Sequence, residues 1–410
     1  MTRLHDLLTG RWFRQWSGWF SDPWRAVPVL GVTEILAWGA LFYPPVLTVP
    51  RIAADQGWSA SFAMGGFSLG LLVAGLVSRH IGAMIDRRGG HVVMTIGSLT
   101  GAVGLFALAN VQGVVAYMAV WVMLGVAMAA GLYDPAFASL GRIFGAAARR
   151  PITALTFIGG FASTVSWPVT QALLTALDWR GTYLVYAALL AFVAAPLHAL
   201  VLPRGRAAPT PPTPGGEVAP RPAVLPARGS AFLLVATAFA AYAFVPSALS
   251  AHLLAMFGRA GLDAATVVAI GALFGPAQVA ARLIEFTFAG NVHPLNVARF
   301  AVGLVLTAFA MLFVFGVSVP VAAAFSIMFG MTNGLITIAR GTVPLYLFGP
   351  SGYGLLVGRI GGPWLVMQAA APLVFAFVAE RSSDMAALAL VAALAAIALV
   401  CLAAIRRPKG

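Results

Sequence analysis

The chain is a succession of long apolar runs joined by short polar turns, and this pattern limits its fold more than any other feature. A helix needs about 20 apolar residues to cross roughly 30 Å of hydrocarbon, and inside lipid only helices and closed barrels satisfy every backbone group internally. Runs of that length lie near residues 26–50, 60–83, 92–110, 114–141, 152–176 and 181–202, then 230–255, 264–289, 295–315, 318–348, 355–379 and 385–405. They predict an all-α integral membrane protein with twelve transmembrane helices. Composition agrees: 60% of the 410 residues are hydrophobic and 9% charged, with a mean hydropathy of +0.92, which excludes a water-soluble domain. The formal charge of +13 would suggest nucleic acid in a soluble protein. Here the cations sit in loops beside a bilayer, so the expected partner is lipid and not nucleic acid. A single cysteine, Cys401, allows no internal disulfide and no multi-cysteine metal site. No metal and no cofactor are expected.

Residues 203–229, between the sixth and seventh runs, contain P-R-G-R-A-A-P-T-P-P-T-P-G-G-E and P-R-P-A-V-L-P-A-R. So much proline and so few hydrophobes predict a solvated linker between a six-helix bundle at 25–202 and another at 230–405. The two match at a constant offset of 204. Arg142, Phe144 and Gly145 fall on Tyr346, Phe348 and Gly349, the turn Asp86–Gly90 falls on Gly290–Pro294, and Pro168 falls on Pro372. Before the first run, residues 1–24 carry Trp12, Phe13, Trp16, Trp19 and Phe20 at helical spacing beside Arg11 and Arg14. That spacing predicts an amphipathic segment in the headgroup plane, not a cleaved signal peptide. Residues 406–410 form a basic tail.

Of the 25 arginines and lysines, Arg51, Arg180, Arg259 and Arg381 fall on one side of the spans and Arg282 and Arg340 fall inside them. The remaining nineteen share the side of both termini and the linker, so that side is expected to be cytoplasmic. Asp55, Asp178, Asp263, Glu380 and Asp384 collect on the opposite side, in keeping with this orientation.

The turn Gly82–His91, G-A-M-I-D-R-R-G-G-H, packs Asp86, Arg87 and Arg88 between the second and third runs. Gly82, Asp86, Arg87 and Gly89, at this spacing and in this place, resemble the loop signature of the major facilitator superfamily. The resemblance covers the chain from about 25 to 405. It implies a secondary transporter, not an enzyme, that moves a small molecule by alternating access between two pseudo-symmetric bundles. It also implies a monomer in a bacterial inner (plasma) membrane. On the residues themselves, Asp86 can accept bonds from a neighbouring helix amino terminus while Arg87 and Arg88 meet anionic headgroups, which would make the turn a conformational latch. No G-x-x-x-x-G-K-[ST] loop is present, so direct coupling to ATP is not expected.

Five ionisable residues remain inside the spans: Glu34, Asp134, Arg282, Glu285 and Arg340. Each would cost at least ~2.5 kcal/mol at the bilayer centre unless it faces a cavity or a partner, so each is a candidate site residue. Arg282 and Glu285 are three apart, share a helical face and could simply neutralise each other. Asp134 and Arg340, in the fourth and tenth runs, could pair across the two halves or each bond a near neighbour. Glu34 is a candidate proton carrier, or a neutral acid bonded to backbone. Arg282 resembles the arginine with which the monocarboxylate transporter branch, close to the oxalate–formate transporters, holds a substrate carboxylate. Glu34 before Trp38 and Gly39 extends that resemblance, although Gln278 stands where the branch has an acid. Trp38, Tyr43 and Gln278 complete the candidate binding set.

Two functions follow as expectations: proton-coupled transport of a small organic anion, on the two guanidiniums, or proton-driven export of a hydrophobic or cationic compound. The second would rest on Glu34, Asp134 and the aromatic Trp38, Phe42, Tyr133, Trp167 and Tyr242. Thr156–Gln171 resembles the fifth-helix motif of superfamily antiporters, with different glycine spacing, and such glycines commonly serve close helix packing. His198, near the end of the sixth run, is expected at the interface.

Overall fold

The computed structural model describes residues 22–204 and 229–406. The amphipathic segment expected at 1–24, most of the linker and the basic tail lie outside the described residues.

In chain order the helices are α1 (Ala26–Ala37), α2 (Pro45–Gln56), α3 (Ala60–Arg88), α4 (Gly90–Ala109), α5 (Val114–Gly131), α6 (Tyr133–Phe144), α7 (Arg149–Gly159) and α8 (Ala162–Leu189). They continue as α9 (Ser230–Arg259), α10 (Ala264–Ala272), α11 (Phe274–Phe288), α12 (Pro294–Phe315), α13 (Val319–Phe348), α14 (Tyr353–Arg381) and α15 (Asp384–Ala404). Among the described residues, ten helical stretches are long and apolar enough to cross a membrane. One of them, Val114–Val201, has 88 residues. Drawn out straight it would reach about 130 Å, several bilayer thicknesses. It is broken at Gly145, with φ 58°, and at Asp178, with φ 63°, whose side chain accepts from Gly181 N at 2.9 Å and so starts a new helix. Divided there it makes three crossings, and the expected twelve depend on that division.

The offset of 204 recurs in helix ends. Gly145 and Gly349 close α6 and α13 with φ 58° and 75°, a conformation in which any residue with a Cβ would be strained. Ser59 and Asp263 cap α3 and α10, accepting from Phe62 N and Thr266 N at 3.1 and 3.0 Å.

The helices before residue 205 and those after residue 228 meet along α3 and α14. Small residues let these backbones approach: a Cβ added to Gly362 would stand 2.9 Å from the Gly75 carbonyl oxygen, Gly358 faces Ser78 and Gly354 faces Gly82. These contacts run from Gly75 to the Asp86 loop. At the opposite end the ion pairs Asp55–Arg180, at 2.8 Å, and Arg259–Asp384, at 2.7 Å, each stay within one segment. The contacts between the two segments thus reach the Asp86 end of α3.

Candidate substrate-binding site

The first crossing is interrupted by Pro44 and Pro45. Neither can donate a hydrogen bond, so the chain widens into a π-helical turn over Trp38–Phe42, with Tyr43 N donating to Trp38 O at 3.0 Å. The turn gathers rings, the Trp38 centroid lying 4.6 Å from Phe42 and 5.9 Å from Tyr43. One helical turn earlier, fully buried Glu34 accepts from Trp38 Nε1 through Oε2 at 2.9 Å, and its Oε1 has no partner among the described residues.

After α5 the backbone is extended at Leu132, and α6 restarts with Asp134 in its first turn, where a helix amino terminus favours a carboxylate. Asp134 Oδ1 is ion-paired with Arg340 Nη2 of α13, across the two segments. The Arg340 guanidinium lies 4.6 Å from the Trp364 ring centroid, a cation–π geometry. The other Asp134 oxygen packs on Gly361 of α14, where a Cβ would collide with it.

Arg282 also crosses between segments. It projects from α11 onto α7, donating through Nη1 to the Thr156 carbonyl at 2.8 Å and through Nη2 to Thr337 Oγ1 at 3.4 Å. It can do so because Gly160 has no side chain: a Cβ there would strike Nη1. The preceding Gly159 serves Tyr133 in the same way, a Cβ standing 2.8 Å from the tyrosine hydroxyl. Two adjacent glycines therefore bring Arg282 and Tyr133 together, and the guanidinium acts electrostatically on the hydroxyls of both Tyr43 and Tyr133.

Arg282 and Glu285 do not neutralise each other. The Glu285 carboxylate turns to Arg149 at the start of α7, 3.4 Å away, and Arg149 also donates to the Ala289 carbonyl at 2.9 Å. Arg282, 3% exposed, has a backbone carbonyl and a hydroxyl as acceptors, no carboxylate within 4.0 Å among the described residues, and an Nε without a partner. Gln278 is buried with its backbone against Gly334, one turn before Arg282.

At the carboxyl-terminal end of α3, Asp86 accepts from Gly354 N at 2.9 Å and Leu355 N at 2.8 Å, in the first turn of α14. Arg142 donates to the Asp86 backbone carbonyl. Gly82 lies against the Gly354 carbonyl, Gly89 closes α3 with φ 88°, and Arg87 is exposed. His198 is not interfacial. It is 1% exposed and bridges Ser98 Oγ, at 3.1 Å, and Thr33 Oγ1, at 2.9 Å, because the helix end that carries it packs against α1 and α4.

Sequence reasoning missed Arg149, counted among the loop cations, and Trp364. It read Gly159–Gly160 as helix packing. The pair does signal a close approach, but nothing local identifies the approaching group as an arginine 122 residues away.

The family model for the Major Facilitator Superfamily matches residues 29–339. No curated protein matches the chain. Among solved structures, the human organic anion transporter MFSD10 (TETRAN) superposes with a TM-score of 0.71 at 17% identity, covering 93% of this chain and 100% of that one. A point variant of the E. coli fucose:proton symporter FucP superposes with a TM-score of 0.68 at 10% identity, covering 92% of this chain and 97% of that one. At such identities these two structures speak for the fold, and the family match spans most of the sequence. The chain is a multi-pass membrane transporter, not an enzyme, and it belongs to the major facilitator superfamily.

Proposed function

We propose that the chain moves a small monocarboxylate together with a proton by alternating access, and that Arg282 holds the carboxylate. The reading rests on the buried guanidinium of Arg282, which has only neutral acceptors among the described residues. Burying an uncompensated cation is costly, and an anion arriving from the cavity would remove that cost. Arg340 is less available, since Asp134 already balances it. Glu34, buried and with one oxygen unpartnered, is the proton carrier in this reading. The segments 25–202 and 230–405 are the two moving bundles, and the Asp86–α14 contact is the latch that holds one side closed. The latched side faces the cytoplasm with both termini, in a bacterial inner membrane, and the transporter works as a monomer.

A specific observation favours a second reading. Among the described residues Glu34 is an acid with no cation within 4.0 Å, beside the aromatic Trp38, as a binding site for an exported organic cation would require.

Proton movement in liposomes separates the two. Carboxylates added outside should alkalinise the outer medium with the wild-type protein and not with Arg282→Gln. Proton flux with a cationic dye, and with no carboxylate, would sink the anion reading in favour of the second.

A further inference from the structure

We propose that the anion taken by this site is an aryl carboxylate, its ring lying against Trp38 and Tyr43 while its carboxylate meets Arg282. The proposal rests on the anion reading above and adds the chemistry of the rest of the molecule.

The rings form a graded wall. Trp167, 37% exposed, lies 6.0 Å from Tyr43; Tyr43 lies 5.9 Å from Trp38; and Trp38 lies 5.3 Å from Tyr133, which is 7% exposed. Exposure falls along this path, and the path ends where the Tyr133 hydroxyl and the Arg282 guanidinium occupy neighbouring glycines, Gly159 and Gly160. The wall therefore leads from the exposed Trp167 to the uncompensated cation.

Along this path the rings are tilted against one another by 49°, 38° and 49°, so no two of them stack in parallel. At 5–6 Å the rings touch one another, so a planar guest would lie across their splayed surface, meeting one ring by its face and the next by its edge. Such arrangements favour an aromatic partner over an aliphatic one of equal size. The wall is also pre-set. The Glu34 carboxyl holds the Trp38 indole by its N–H, and the π-helical turn fixes Tyr43 relative to Trp38. A short aliphatic acid would satisfy Arg282 without using this ring surface.

The test is equilibrium binding to the purified full-length protein by calorimetry, with benzoate, cyclohexanecarboxylate and propionate as probes. Benzoate should bind roughly tenfold more tightly than cyclohexanecarboxylate, equivalent to about 1.4 kcal/mol, and propionate more weakly than either. Tyr43→Leu should remove most of the benzoate preference, whereas Tyr43→Phe, which keeps a ring, should retain the ratio at lower affinity. Arg282→Gln should abolish binding of all three. Equal affinity for benzoate and cyclohexanecarboxylate, or tightest binding of propionate, overturns the aryl assignment and leaves the anion reading standing. No binding of any carboxylate to protein that still melts cooperatively overturns both.

Discussion

Asp134 and Arg340, 206 residues apart in the chain, form an ion pair that ties α6 to α13, and the arginine of the pair lies over the Trp364 ring. The pair is nearly buried, at 13% and 10% side-chain exposure. Removing one partner leaves the other charge in low dielectric. Asp134→Asn and Arg340→Gln are therefore each expected to destabilise the protein by about 3–5 kcal/mol, and the double variant by much less. Thermal unfolding of the three variants in one detergent checks this. Additive losses would mean that the two residues do not act as a pair.

The Asp86 carboxylate sits on the first amides of α14, where the helix amino terminus carries partial positive charge. Asp86→Asn keeps one acceptor and loses the charge. It should weaken closure at that end by about 1 kcal/mol, a roughly fivefold shift toward separated helices. Spin labels at the exposed positions 87 and 351, introduced as cysteines in a Cys401→Ser background, should show a growing population of longer distances. An unchanged distance distribution would count against a latch.

Glu285 turned to Arg149 and away from Arg282. A double-mutant cycle on Arg149→Gln and Glu285→Gln should therefore show a coupling of about 0.5–3 kcal/mol, and the cycle on Arg282→Gln and Glu285→Gln should be near additive. Unfolding free energies of the six proteins, wild type included, decide it, and strong coupling between 282 and 285 would restore the simpler pairing.

The extent to which sequence revealed this molecule follows from how local each signal is. Apolar run length is a property of about 20 consecutive residues, so the crossings could be read directly, with Asp178 and Gly145 marking breaks inside one long helical stretch. The lone acid in the basic turn gave Asp86 the role of acceptor, but the amides it meets belong to residues 354 and 355, beyond any local pattern. The pairing of Glu285 stayed open in the sequence because spacing of three gives a shared face and says nothing of side-chain direction; Arg282 reaches onto α7 at the Gly160 gap, and Arg149 comes to Glu285 from α7. His198 looked interfacial from its place near a helix end, yet hydroxyls on two other helices make burial tolerable for it.

Gly160→Ala isolates the anion seat from the fold. Gly160 has φ −62° and ψ −23°, which alanine adopts freely, and alanine is preferred over glycine in a helix by about 0.5–1 kcal/mol. The backbone thus has no reason to object. The new methyl group would nevertheless occupy the position of Arg282 Nη1, and the guanidinium would have to leave the Thr156 carbonyl. Gly65→Ala serves as the comparison, because a Cβ there meets nothing within 4 Å. A misplacement of about 1 Å in a positioned group can cost on the order of 100-fold in a reaction. Gly160→Ala should accordingly lower carboxylate-driven proton flux at least tenfold (about 1.4 kcal/mol), with a melting temperature that falls only as far as the loss of one hydrogen bond to a charged group requires (about 1.5–3 kcal/mol), while Gly65→Ala leaves the flux as it is and keeps or raises the melting temperature. Full transport by Gly160→Ala would place the carboxylate away from Arg282 and turn attention to Glu34 as the group that meets the substrate.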